Sequence, residues 1–172
     1  MEVFDAQLQP VHGGSMRIFA AKKGDYKPTL GLLDWTYDEH ESGMDRIDYY
    51  KEFAKRTAQS RDKLAGLLKS LKADGKRIVG YAAASKGTVI LNYAGIGPET
   101  LDYVVDSTPD KQGRYIPGVH IPIVTPEYFR DDKPDYALLG ARNHATEIMK
   151  KEPEFLARGG RFIMPLPEPK II

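Results

Sequence analysis

At 172 residues, 41% of them hydrophobic, the chain is long enough for one well-buried core with an extension and too short for two full-sized domains. Lysine and arginine total 25 against 24 acids, a net charge of +1, so no field favours nucleic acid or a membrane surface. The absence of cysteine excludes disulfides, thiolate zinc sites and a cysteine nucleophile; with no leader-like start and no apolar run near the ~18 residues of a membrane span, the expected address is the cytoplasm.

Residues 3–8 and 15–21 alternate as strands do across the turn at 9–14, predicting an antiparallel pair. Two strands bury too little apolar surface alone, so residues 1–22 are expected to edge something larger. Residues 23–43 are polar and broken by Gly24, Pro28, Gly31 and Gly43, and read as a linker or long loop, with Trp35, Leu30, Leu32 and Leu33 docking on a neighbour. From 44 to 74 apolar residues recur at three and four, with acids early, lysines late and Gly75 as a stop, predicting one long helix.

Beyond Gly75 the pattern alternates: strands at 77–81, 103–106, 136–140 and 161–166, and helices at 87–94, briefly after Thr125-Pro126, and at 143–158 before Gly159 and Gly160. This predicts an α/β fold over 44–172, a mostly parallel sheet covered on both faces, preceded by the long helix and the strand pair. In such a sheet ligands sit beyond the carboxyl ends of the strands.

The string GYAAASKG at 80–87 is the strongest local signal, an apolar strand ending in small residues, then Ser85, then Lys86, then a helix. Small side chains let an anion reach the N–H groups of a helix start, where the macrodipole also favours negative charge. The dinucleotide fingerprint wants glycines where Ala82 and Ser85 stand, and a P-loop wants Ser or Thr where Gly87 follows the lysine. The string alone admits two readings, an anion seat or a tight packing turn with a solvated lysine.

Topology brings Ser85, Lys86, Asp106, Asn143 and His144 to one sheet edge. Asp106 closes the second strand, where an acid holds a ribose hydroxyl, although its spacing from Gly80 exceeds the usual ~20 residues; it is equally placed to cap a loop. Asn143 reads also as a helix cap. Lys111, Arg114 and Tyr115 lie on a loop with Gly113 and Gly118, suited to fold over a diphosphate. His12, followed by two glycines, is a candidate general base, since imidazole titrates near pH ~6.5. The four histidines, 12, 40, 120 and 144, show no two at ligand spacing, so no metal site is expected.

Together VHGGS at 11–15, GYAAASK at 80–86, LNYAGIG at 91–97, VDSTPDKQ at 105–112, PGVHIP at 117–122, PDYALL at 134–139 and NHA at 143–145 resemble the C-terminal region of sugar C-methyltransferases. These S-adenosylmethionine-dependent enzymes methylate ring carbons of nucleotide-linked deoxysugars. The resemblance implies a zinc-binding lobe and a methyl-donor-binding Rossmann domain elsewhere in the enzyme, with this chain as a fragment holding the third, Rossmann-like domain and, in residues 1–22, strands of the second. It implies no cofactor in this fragment, S-adenosylmethionine in the whole enzyme, and a nucleotide-linked sugar as partner. By matching motifs it assigns His12 as the base and Ser85, Lys86, Asn92, Asp106, Lys111, Asn143 and His144 as sugar-nucleotide contacts. Some relatives carry an acid where Val11 stands. Two other classes remain open: a nucleotide or coenzyme module without catalysis, and a scaffold whose long helix pairs with a second copy through Leu64 and Leu68.

Overall fold

A computed structural model describes residues 1–172. The chain separates into two compact units, Met1–Arg56 and Thr57–Ile172.

In the first unit, β1 (Glu2–Gln9) and β2 (Ser15–Ala21) pair antiparallel as the alternation predicts, with a register shift between Val3 and Asp5. The expected loop is instead largely helical: α1 (Leu30–Glu41) starts where the Thr29 hydroxyl accepts the Leu32 N–H at 3.3 Å, while donating to Asp5 of β1 at 2.6 Å. A threonine after a proline is an N-terminal helix signal that the glycines around it mask. Leu30 and Leu33 face solvent, whereas Leu32 and Trp35 are half-buried.

The long helix is real: α2 spans Ile47–Ala73. It stops at Gly75, whose φ of +74° closes a turn in which Lys76 N–H bonds the Leu71 carbonyl and Gly75 N–H the Lys72 carbonyl, both at 3.0 Å. Leu64, Leu68 and Leu71, spaced four and three apart, are buried in the core of the second unit, so this face is occupied within the chain. Ile47, Tyr50 and Phe53, in the part of the helix belonging to the first unit, are exposed.

The second unit holds a six-stranded sheet in the order β5-β4-β3-β6-β7-β8, formed by β3 (Ile78–Tyr81), β4 (Val104–Val105), β5 (Ile123–Val124), β6 (Tyr136–Leu139), β7 (Arg161–Met164) and β8 (Lys170–Ile171). All neighbours run parallel except β8, which pairs antiparallel with β7. Sequence reasoning misses β5 and β8, two-residue strands flanked by prolines that carry no alternation of their own. One face packs α2 and α3 (Ser85–Ala94) over Ile78, Val104, Leu138 and Ile163. The other packs α4 (Pro126–Asp132), α5 (Ala145–Lys151) and α6 (Pro153–Ala157) over Val79, Tyr81, Ala137 and Phe162.

The last expected helix, 143–158, is in fact two. Pro153 lacks an N–H and disfavours helical geometry at the residue before it, and Glu152 leaves the helix at φ −121°, ψ 53°. Its side chain turns inward, 2% exposed, where it accepts the Tyr81 hydroxyl at 2.6 Å and two Arg130 N–H groups at 2.9 and 3.0 Å. Burial, then the adjacent carboxylate, pushes the Tyr81 phenol well above its ordinary pKa, so it stays a neutral donor. Tyr81 also meets the rings of Phe129 and Phe162 edge-on at 5.3 and 5.9 Å between centroids.

No helix is long and apolar enough to cross a membrane. Leu68 is fully buried beneath the sheet, so Leu68→Ala should cost about 2–5 kcal/mol through lost burial and the cavity left behind. Urea unfolding of the two proteins at neutral pH measures this directly.

Candidate functional site

The strand order turns back between β3 and β6, because the chain leaves β3 towards β4 on one side and returns to β6 on the other. A crevice at such a point opens beyond the strand ends, between the β3–α3 turn and the segment after β6. The turn is strained: Ala82 sits at φ +72°, and Ala84 N–H bonds back to the Ala82 carbonyl at 2.9 Å. For a residue with a Cβ this region costs roughly 1–2 kcal/mol, which explains why related folds place glycine here. Helix α3 then begins at Ser85 behind Ala84, with no side-chain cap. Its first N–H groups thus lack a side-chain cap, and Ser85 and Lys86 in its first turn are exposed.

Backbone contact fixes the neighbouring turn. A Cβ on Gly87 would lie 2.8 Å from the Gly140 Cα, and one on Gly140 only 2.1 Å from the Ala82 carbonyl oxygen. The short turn Arg142–His144 follows at once, with Asn143 and His144 both exposed in it. Asn143 does not cap the following helix. His144 precedes α5, which has no side-chain cap, and the His144 imidazole lies 3.6 Å from Glu147.

Between these ends lies a small pocket, lined chiefly by Ala83, Gly87, Leu91, Leu138, Gly140 and Pro165. The Thr88 hydroxyl in it donates to the Ala84 carbonyl at 3.3 Å, and no charged side chain enters. The pocket suits an apolar group.

Asp106, 7% exposed, is engaged on all sides. One carboxylate oxygen accepts the Ala83 N–H at 2.8 Å and the Lys111 ammonium at 3.1 Å; the other accepts the Thr108 N–H at 2.8 Å. Lys111 also donates to the Ala83 carbonyl at 3.0 Å, and the Gln112 amide to the Asp106 carbonyl at 2.9 Å. Burial opposes the charged carboxylate, but the bonds from Thr108, Lys111 and Ala83 outweigh it and hold Asp106 below its ordinary pKa.

The segment expected as a flexible loop over a diphosphate is instead packed. Ile116, Ile121 and Ile123 are buried, and main-chain bonds join Ile116 to Ile121, Gly113 to Ile123 and Arg114 to Ile123. Asn92 holds it to α3, its amide donating to the Pro117 and Thr88 carbonyls, both at 2.9 Å. Sequence reasoning misses Thr108, Gln112 and Gly140. Gly140 acts through its missing side chain, and Thr108 partly through its backbone N–H, so residue type alone does not announce either task.

His12 lies in the first unit, exposed in the turn between β1 and β2, with φ 55° and Gly13 and Gly14 also at positive φ. No group of three or more metal-ligating side chains gathers anywhere in the chain.

The residues present do not fit S-adenosylmethionine. The acid closing β4, which would take a ribose hydroxyl, has both oxygens engaged, and the Ala83 N–H at the turn is already bonded to it. A mostly parallel sheet of this order, covered by helices on both faces, defines a Rossmann-like class of domain. Residues 10–167 match the family described as the C-methyltransferase C-terminal domain, and the chain belongs to that family. It is 40% identical over its whole length to C-methyltransferase NovU of Streptomyces niveus, of which it spans 41%.

The depressed Asp106 pKa has a sign. Its contribution to stability is complete above the unfolded value of about 4 and disappears as pH falls through the lower folded value. The stability difference between wild type and Asp106→Asn should therefore shrink as pH drops below 4. A difference that stays constant in urea titrations down to pH 2 would mean the charge contributes nothing.

Proposed function

We propose that this chain is the nucleotide-sugar-holding part of an S-adenosylmethionine-dependent C-methyltransferase, with the methyl donor held by a part of the enzyme outside these residues. The supporting observation is the uncapped start of α3, carrying Lys86 in its first turn, at the switch point of the sheet in a member of this family. A diphosphate is doubly anionic or more, so a helix start plus an ammonium suits it, and the exposed Asn143 and His144 in the turn after β6 are assigned to sugar or ribose hydroxyls.

Ser85 and Lys86 are assigned to the diphosphate. Calorimetry on the chain should show thymidine diphosphate binding and NAD failing to compete, with Lys86→Glu weakening the complex by about tenfold or more. Preference for NAD would favour a coenzyme module.

The chemistry assigned to the whole enzyme begins with loss of the proton next to the sugar's keto group, leaving an enolate that accepts a methyl group. When bound, S-adenosylmethionine supplies that group. His12 is assigned the proton, because its imidazole is exposed and its turn backbone is unusually open to close approach. In the whole enzyme His12→Asn should abolish transfer and also solvent exchange of the abstracted proton, while the sugar nucleotide still binds. Turnover at the wild-type rate would remove His12 from the reaction.

A further inference from the structure

Asp106 and Lys111 carry the right chemistry to touch a nucleotide, yet their bonds point elsewhere. The carboxylate reaches across from the end of β4 to the Ala83 N–H, and the ammonium closes the ring by bonding both that carboxylate and the Ala83 carbonyl. Ala83 is thus gripped through both of its main-chain polar groups. It stands between Ala82, at φ +72°, and Ala84, the residue from which α3 starts. The grip adds to the bonds of Ala82 itself, whose N–H donates to the Val105 carbonyl at 2.7 Å and whose carbonyl accepts the Ala84 N–H at 2.9 Å, in offsetting the steric cost at Ala82; without it the turn after Ala82 would relax towards ordinary backbone geometry. The first N–H groups of α3 would move with it. No buried side-chain polar atom in the chain lacks a partner, so the knot is complete without a ligand.

We propose that Asp106 and Lys111 are positioning residues that hold the β3–α3 turn in its strained form and so preorganise the anion seat at Ser85 and Lys86, rather than contacts of the nucleotide. This rests on the diphosphate reading above and deepens it. A seat held in place before binding does not have to be ordered by the ligand, so affinity falls when the clamp is cut even though no ligand contact is lost. Two consequences separate a clamp from a contact. Residues that act only as a pair lose their effect together, so the double substitution should cost no more than either single one. A lysine that never meets the phosphate also leaves the salt dependence of binding unchanged, since the number of charges facing the ligand stays the same.

The test uses thymidine diphosphate with the full chain and its Asp106→Asn, Lys111→Met, double and Lys86→Met variants, measuring dissociation constants across a salt series. Amide hydrogen exchange at Ala83 is followed without ligand. Each clamp variant should weaken binding by about tenfold, with the double variant equal to the singles and the salt slope as in wild type. Lys86→Met alone should flatten that slope. Ala83 exchange should accelerate in Asp106→Asn. A flattened slope in Lys111→Met, or losses that add in full, would show Lys111 at the ligand and overturn the clamp. If wild type binds no diphosphate, the reading of function fails instead, and the clamp stands or falls on Ala83: lost protection in Asp106→Asn supports it, and unchanged protection sinks it.

Discussion

One buried carboxylate holds the polar end of the second unit together. Asp106 gathers two backbone N–H groups and an ammonium from three stretches of chain, the β3–α3 turn, its own loop and the segment at Lys111. A charge this buried is destabilising unless such partners surround it, and breaking one leaves the others unpaired. Its bond to the Ala83 N–H ties it to the residue between the strained Ala82 and the start of α3.

The two faces of the sheet solve different problems. Beneath α2 and α3 the packing is aliphatic, with Leu64, Leu68, Ile78, Val104 and Ile163 in one cluster. Beneath α4, α5 and α6 it is aromatic, and Tyr81 carries a hydroxyl into it that only Glu152 and Arg130 make acceptable. Pro153 serves that arrangement by ending α5, which frees Glu152 to turn inward. Tyr81 and Ala82 are consecutive, so the aromatic face anchors the residue next to the strained turn.

The chain belongs to the family of C-methyltransferase C-terminal domains and is 40% identical to a C-methyltransferase of which it spans 41%. The pocket at the switch point of the sheet is lined by small and apolar residues, with no charged side chain among them.

Much of the fold was legible in the linear chain because it follows from local rules. The alternation of residues 15–21, the three-four spacing through α2, Gly75 as its stop and the alternation of strands with helices each need only near neighbours in sequence. Where local signals were weak or contradictory the reading failed: α1 hid among glycines, and β5 and β8 are too short to show a period. The site was half legible. The string at 80–87 located the turn, but the tasks of Asp106, Lys111 and Asn92 emerged only in three dimensions. Their residue types allow them to bind a ligand or to bind the chain itself. The choice is made by partners such as the Ala83 N–H and the Pro117 carbonyl, backbone groups that every residue shares and that only folding brings within reach.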